Sequence, residues 1–225
     1  MEFVYVVSRD ELFPDCYPQG LIRFPAEGAE RLPDEAFDRA SVLERIDAHG
    51  FFVERRYAER SVHLKQVIPY TIVVVEDPES SPRVLVVERL PQGGEQRLVG
   101  RLSIGIGGHI NPVDDDDPLH VVESGTAREL DEELFLSGER RIEAIGLIND
   151  DSNPVGAVHV GLVQVLYLGP GGSASVRETD VLEGTLVPPS ELQRQLRDGA
   201  NFETWSRVLV ENLDELLSLS QPALT

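Results

Sequence analysis

Residues 103–136 read SIGIGGHINPVDDDDPLHVVESGTARELDEELFL. A short apolar strand runs into Gly107-Gly108, an acidic loop with two prolines follows, and a helix is expected over roughly 121–136. At about 100° per residue, Glu132 and Glu133 lie within roughly 60° of Glu129, one to either side, so three carboxylates share one face. Ala127, Leu130 and Leu134 fall on another face and are expected to pack on a sheet, leaving the acidic cluster outward. Like charges one turn apart cost about 0.2–0.5 kcal/mol per pair on an exposed helix. A hard divalent cation reverses that sign, because Mg²⁺ takes oxygen ligands and keeps waters that substrate phosphates can replace. Acidic triplets on solvated helix faces are common, and the glycine pair is what separates this one from ordinary surface. Paired glycines let backbone pass close to a ligand or adopt conformations closed to other residues.

Outward from that segment, strands and helices alternate. Strands are expected at 3–7, 21–24, 70–75, 83–90, 140–149 and 158–168. Helices are expected at 34–50, where Phe37, Val42, Leu43 and Ile46 recur near helical spacing, at 188–199, where prolines precede a Ser190–Gln193 capping pair, and at 202–219. Hairpin-length connections between strands favour an α/β (α+β) domain with a mixed sheet over a purely parallel one. Residues 1–64 hold two short strands and one helix, too little to bury a core alone, so they read as an N-terminal extension packed on a domain spanning 65–225.

The 225 residues carry 20 basic and 40 acidic side chains, a formal net charge of −20. Such a surface repels duplex nucleic acid and anionic membranes. Lys65 is the single lysine, and Cys16, the single cysteine, excludes a disulfide framework and any multi-cysteine metal site. With no signal-peptide pattern at the start and no apolar run of roughly 18 residues, the expectation is a soluble, cytoplasmic protein.

The segment resembles the signature of the Nudix hydrolase superfamily, G-x5-E-x7-R-E-U-x-E-E-x-G-U, with U an aliphatic residue. Gly108 matches the first glycine, and Arg128-Glu129-Leu130-Asp131-Glu132-Glu133 matches R-E-U-x-E-E without a gap. The likeness extends from Lys65 to about Leu196 and is greatest to a branch of predicted phosphoesterases with GIGGHIN before the helix. Six extra residues separate Gly108 from Arg128, His120 stands at the first glutamate of the pattern with Glu123 out of register, and Phe135 stands at the closing glycine, with Gly138 three residues later.

The resemblance implies an α/β/α sandwich around a mixed sheet and hydrolysis of a phosphoanhydride in a nucleoside diphosphate linked to another moiety. It implies Mg²⁺ or Mn²⁺ on Glu129, Glu132 and Glu133, with Arg128 orienting a carboxylate and backbone at Gly107 and Gly108 approaching metal or phosphate. A general base drawn from outside the box would be Glu178 or Glu183, with Asp150 and Asp151 behind them. The partner expected is a small nucleotide-type substrate, with room for a homodimer. The other class in play is a Nudix-fold module that binds a nucleotide or protein without turnover.

Four further readings are set aside. GIGGHI fails as a dinucleotide fingerprint because Ile110 stands at the third glycine. Asp114–Asp117 lacks the calcium-loop pattern and reads as a solvated loop, exposed and mobile, able to form a rim over substrate. His109, His120 and His159 have no close ligand spacing and read as hydrogen-bonded or surface imidazoles. An isopentenyl diphosphate isomerase, which shares the resembled fold, needs a core cysteine, and Cys16 lies far from the box.

Overall fold

A computed structural model of the chain describes residues 1–25, 37–77, 81–91, 99–114 and 121–219. In chain order the elements are β1 (Phe3–Ser8), α1 (Arg9–Leu12), β2 (Gly20–Arg23), α2 (Arg39–His49), β3 (Phe51–Glu54), α3 (Arg55–Ala58), β4 (Leu64–Val75), β5 (Arg83–Arg89), β6 (Leu102–Ser103) and β7 (Gly105–Ile106). Then come α4 (Val121–Glu133), β8 (Leu134–Ser137), β9 (Arg140–Asn149), β10 (His159–Leu168), β11 (Ser173–Val176), β12 (Leu182–Val187), α5 (Pro189–Arg197), α6 (Thr204–Glu211) and α7 (Leu213–Leu219). The fold is α+β, with one large sheet and a separate two-stranded one. No helix among the described residues is long and apolar enough to cross a membrane.

Two compact units divide the chain: Met1–Tyr70 with Gly107–Arg128 and Ala144–Val163, and Thr71–Ile106 with Glu129–Glu143 and Gln164–Thr225. In the first, β1 pairs antiparallel with β3 (Phe3↔Glu54) and with the start of β4 (Val6↔Gln66), and β2 pairs with the end of β9 (Gly20↔Asn149). Its core joins Tyr5, Val7, Leu12, Phe13, Val42 and Ile46 to Ile110, Val121, Val122, Leu147, Val160 and Leu162. The backbone N–H of Tyr5 also donates to the Ile110 carbonyl at 2.9 Å. Residues 1–64 thus bury their apolar faces against later segments of the same unit. Expressed alone, they are expected to show no cooperative melt, since such a fragment would expose much of the area that offsets its conformational entropy. A sharp thermal transition of the isolated fragment would overturn this.

In the second unit, β5 pairs with β12 over six residues, from Leu182↔Arg89 to Val187↔Val84. Its core gathers Val73, Leu85, Val87, Ile106, Leu166 and Leu168 of the sheet with Leu130 and Leu134.

Local boundaries shift for identifiable reasons. Strand β4 begins six residues before the expected 70, because Lys65 and Gln66 interrupt the apolar run yet are buried. Helix α2 starts at Arg39, capped by the Asp38 carboxylate accepting from Ser41 N at 3.0 Å; residues 34–36 lie outside the described set. The Ser190 cap is corrected: α5 begins at Pro189 after Pro188, with no side-chain cap. The expected helix 202–219 is two helices, broken at Asn212, whose Nδ2 donates to the Val208 carbonyl at 2.8 Å. Strands β3, β8, β11 and β12 and helices α1 and α3 carried no signal that periodicity could resolve, being six residues or fewer.

Candidate active site

Helix α4 ends at Glu133, three residues short of the expected end, and Leu134 opens β8. Leu130 and Leu134 are buried as expected, but Ala127 is exposed. The buried arc instead includes Val122 and Thr126, whose Oγ1 donates back to the Val122 carbonyl at 2.8 Å. Glu129 and Glu133 stand about 20° to either side of Val122 on the helical wheel. They are half-buried, and only Glu132 of the three faces solvent fully. The acidic face is therefore turned partly inward, against the expectation of an outward cluster.

That placement has an electrostatic consequence. The Glu133 carboxyl is pushed up from 4.5 to about 7, first by burial and next by the charge of Glu129; Arg89 opposes the shift, and Glu178 and Glu132 add to it. Three glutamates and one arginine thus act on the partly desolvated Glu133 carboxyl. Clustered like charges of this kind mark functional sites more often than ordinary surface. Arg89 escaped the sequence reading. Strand β5 alternates, and the pairing of Arg89 with Leu182 puts it on the core-facing side with Val87 and Leu85, one step past the last apolar residue.

A second arginine was missed as well. Arg177 N–H donates to the Glu133 carbonyl and its Nε to the Leu134 carbonyl, both at 2.8 Å, and its guanidinium lies 4.1 Å from the Phe135 ring centre. A cation is thus placed on the carbonyl end of α4, where the helix dipole favours it. It also holds the residue before Glu178 against the residue after Glu132. Phe135 accordingly sits in β8 opposite Ser175 where the family pattern has glycine. The positive φ that a turn glycine provides falls on Gly138, at +97°.

The other expected site residues fall as follows. Arg128 Nη2 donates to the His109 carbonyl at 2.8 Å, tying the helix to the segment after the glycine pair. Gly107 packs directly on strand β4: an added Cβ would lie 1.7 Å from the Pro69 carbonyl oxygen, so close packing alone requires glycine here. Gly108 is half-buried beside it. Glu183 pairs with Glu88 on the opposite side of the sheet from Arg89 and is exposed, so the strand alternation turns it away from Glu133. Asp151 bonds to Lys65 Nζ at 2.7 Å and to the Tyr17 hydroxyl, and Asp150 Oδ1 accepts from Ser152 N. His120 and the side chains of Asp114–Asp117, with the rim assigned to them, lie outside the described residues.

The donor set at Glu129, Glu132 and Glu133 is all carboxylate oxygen, which suits Mg²⁺ or Mn²⁺ and not a soft metal. Among the described residues no three His, Cys, Asp or Glu groups converge into a ready-made cage. Mg²⁺ does not require one, since it keeps several waters and is bound through one or two carboxylates plus substrate phosphates. The residues fit the ion by chemistry and by the cost of leaving Glu133 ionised without it.

No family model matches the chain. It is 38% identical over 179 residues to Protein YmaB of Bacillus subtilis (strain 168), an alignment covering 78% of this chain and 84% of that protein. The crystal structure of Tm1382, described as a candidate Nudix hydrolase, superposes with a TM-score of 0.74 at 28% identity, covering 96% of this chain and all of that one. This chain belongs to the Nudix hydrolase superfamily. The likeness to Tm1382 reaches into residues 1–64, beyond the Lys65–Leu196 region in which the sequence carries the resemblance.

Proposed function

We propose that the chain is a metal-dependent pyrophosphohydrolase that cleaves a phosphoanhydride in a nucleoside diphosphate linked to another moiety. The observation that supports it is the partly buried cluster of Glu129, Glu132, Glu133 and Glu178 around a carboxyl held near neutrality. A folded protein keeps such a repulsive group where something offsets it, and a divalent cation does so. Mg²⁺ or Mn²⁺ held by Glu129, Glu132 and Glu133 would neutralise the pyrophosphate and make a bound water acidic. Glu178, drawn to the end of α4 through its neighbour Arg177, accepts the proton of the attacking water. Arg89 supplies the nearby positive charge.

The test is turnover of nucleotide sugars, dinucleoside polyphosphates, capped or oxidised nucleotides and nucleotide coenzymes with Mg²⁺ or Mn²⁺. Because Glu132 is exposed, Glu132→Gln is expected to reduce turnover by about a hundredfold or more while leaving the chelated melt unchanged. Full activity in that variant would remove Glu132 from the site. Thermal shifts by a nucleotide without any turnover would identify a binding module instead.

A further inference from the structure

In the first unit, three electron-rich atoms meet that the hydrolytic reading does not use. His109 Nε2 lies 3.0 Å from Gln66 Oε1 and 3.3 Å from His159 Nε2. His159 Nδ1 is 2.7 Å from the Val155 carbonyl and so carries the proton it donates there, leaving His159 Nε2 with a bare lone pair. A neutral His109 brings at most one proton to Nε2, yet that atom faces two acceptors. Gln66 is fully buried, with its carbonyl oxygen turned to the imidazoles. That oxygen and the His159 lone pair thus compete for a single proton.

We propose that His109, His159 and Gln66 form a binding site for a transition-metal ion of the Zn²⁺ class. Two imidazole nitrogens on a tetrahedral Zn²⁺, each at about 2.0–2.1 Å, stand roughly 3.3 Å apart, which is the separation found. The His159 Nδ1–H bond to a carbonyl is the outer contact that orients metal-binding imidazoles. Imidazole and amide donors select Zn²⁺, Co²⁺ or Ni²⁺ over the Mg²⁺ suited to the glutamate cluster. The charges facing the imidazoles are of both signs: Arg55, which bonds to Glu2 and Glu59 at 2.9 Å each, and Lys65, whose Nζ lies 3.4 Å from the His159 carbonyl.

The experiment uses the full chain stripped with chelator and titrated with ZnCl₂, read by calorimetry and by ¹⁵N spectra of the five imidazoles. One equivalent is expected to bind, shifting the resonances of His109 and His159, and CoCl₂ is expected to give visible absorption bands. His159→Ala is expected to weaken Zn²⁺ binding at this site by tenfold or more, while Glu133→Gln retains it, which separates this site from the carboxylate cluster. The wild-type spectra keep the test decisive if the alanine variant fails to fold. Equal affinity in a folded His159→Ala, or shifts confined to His49, His63 and His120, would overturn the assignment.

Discussion

Glu133→Gln is expected to stabilise the metal-free protein at pH 8 and to abolish its response to Mg²⁺ or Mn²⁺. The Glu133 carboxyl titrates near 7 in the folded chain against 4.5 in the open one, chiefly because burial penalises its charge. Between those values the folded state holds a proton that the unfolded state has released, so stability falls as pH rises. The contribution is fully present below about 4.5 and is lost as pH passes through about 7. The loss amounts to about 2–3 kcal/mol above pH 7. Glutamine is neutral at every pH and avoids it. In chelator at pH 8 the variant is therefore expected to melt about 4–12 °C above the parent, taking roughly 2–4 °C per kcal/mol for a chain of this size, with the gap closing towards pH 4.5. Removing a metal ligand is also expected to erase the metal-induced rise in melting temperature and to lower turnover by about a hundredfold or more. A variant less stable than the parent in chelator at pH 8, or one that keeps the full metal shift, would contradict this account.

Lys65→Met is expected to cost about 1–3 kcal/mol, the usual result of leaving buried acceptors without their donor, because Asp151, 34% exposed, can turn to water. The side chain has no exposed surface, and its ammonium group bonds to Asp151 at 2.7 Å and to the carbonyls of Gly156 at 3.1 Å and Ala157 at 2.9 Å. The Tyr17 ring lies 5.5 Å from the same nitrogen, and its hydroxyl donates to Asp151 at 2.8 Å. Burial and the Asp151 bond together push that phenol up to about 12. One ammonium thus fastens the 150–159 loop to β4, and methionine leaves those carbonyls without their donor. Lys65→Arg is expected to fail too, because a planar guanidinium cannot replace a point donor among converging carbonyls. Urea unfolding reads the loss as a lower midpoint at an unchanged slope. A change below about 1 kcal/mol would show that the loop is held by other contacts.

Much of the chemistry was legible in order along the chain. Arg128, Glu129, Glu132 and Glu133 lie on consecutive turns of one helix, and helical spacing alone places them together. The long strands and α2 were legible for the same reason, since their side chains repeat with the period of the element that carries them. Their setting was not legible in the same way. Helical geometry says that Glu129 and Glu133 share a face, but whether that face meets solvent depends on what packs against it. The expected outward cluster gave way because the apolar arc of α4 is wider than Leu130 and Leu134.

Residues distant in sequence are where the reading by order stopped. Glu178 and Glu183 looked equivalent as bases in SVRETDVLEG until strand pairing put Glu183 opposite Glu88 and turned it away, while Glu178 entered the field of Glu133. Arg89 and Arg177 carried no reading from the sequence, and only the fold gave one a carboxylate cluster and the other the end of a helix. Lys65 was a compositional oddity until Asp151 closed on it from 86 residues away, and His109 and His159 showed no ligand spacing because 50 residues separate them. The sequence by itself determined which residues sit on one helix and what metal chemistry their oxygens favour, because those are local properties of side chains and helical period. Burial, and with it the charge state of Glu133, the pairing of Lys65 and the meeting of two imidazoles, was decided by tertiary structure alone, since desolvation and contact depend on what the rest of the chain brings alongside.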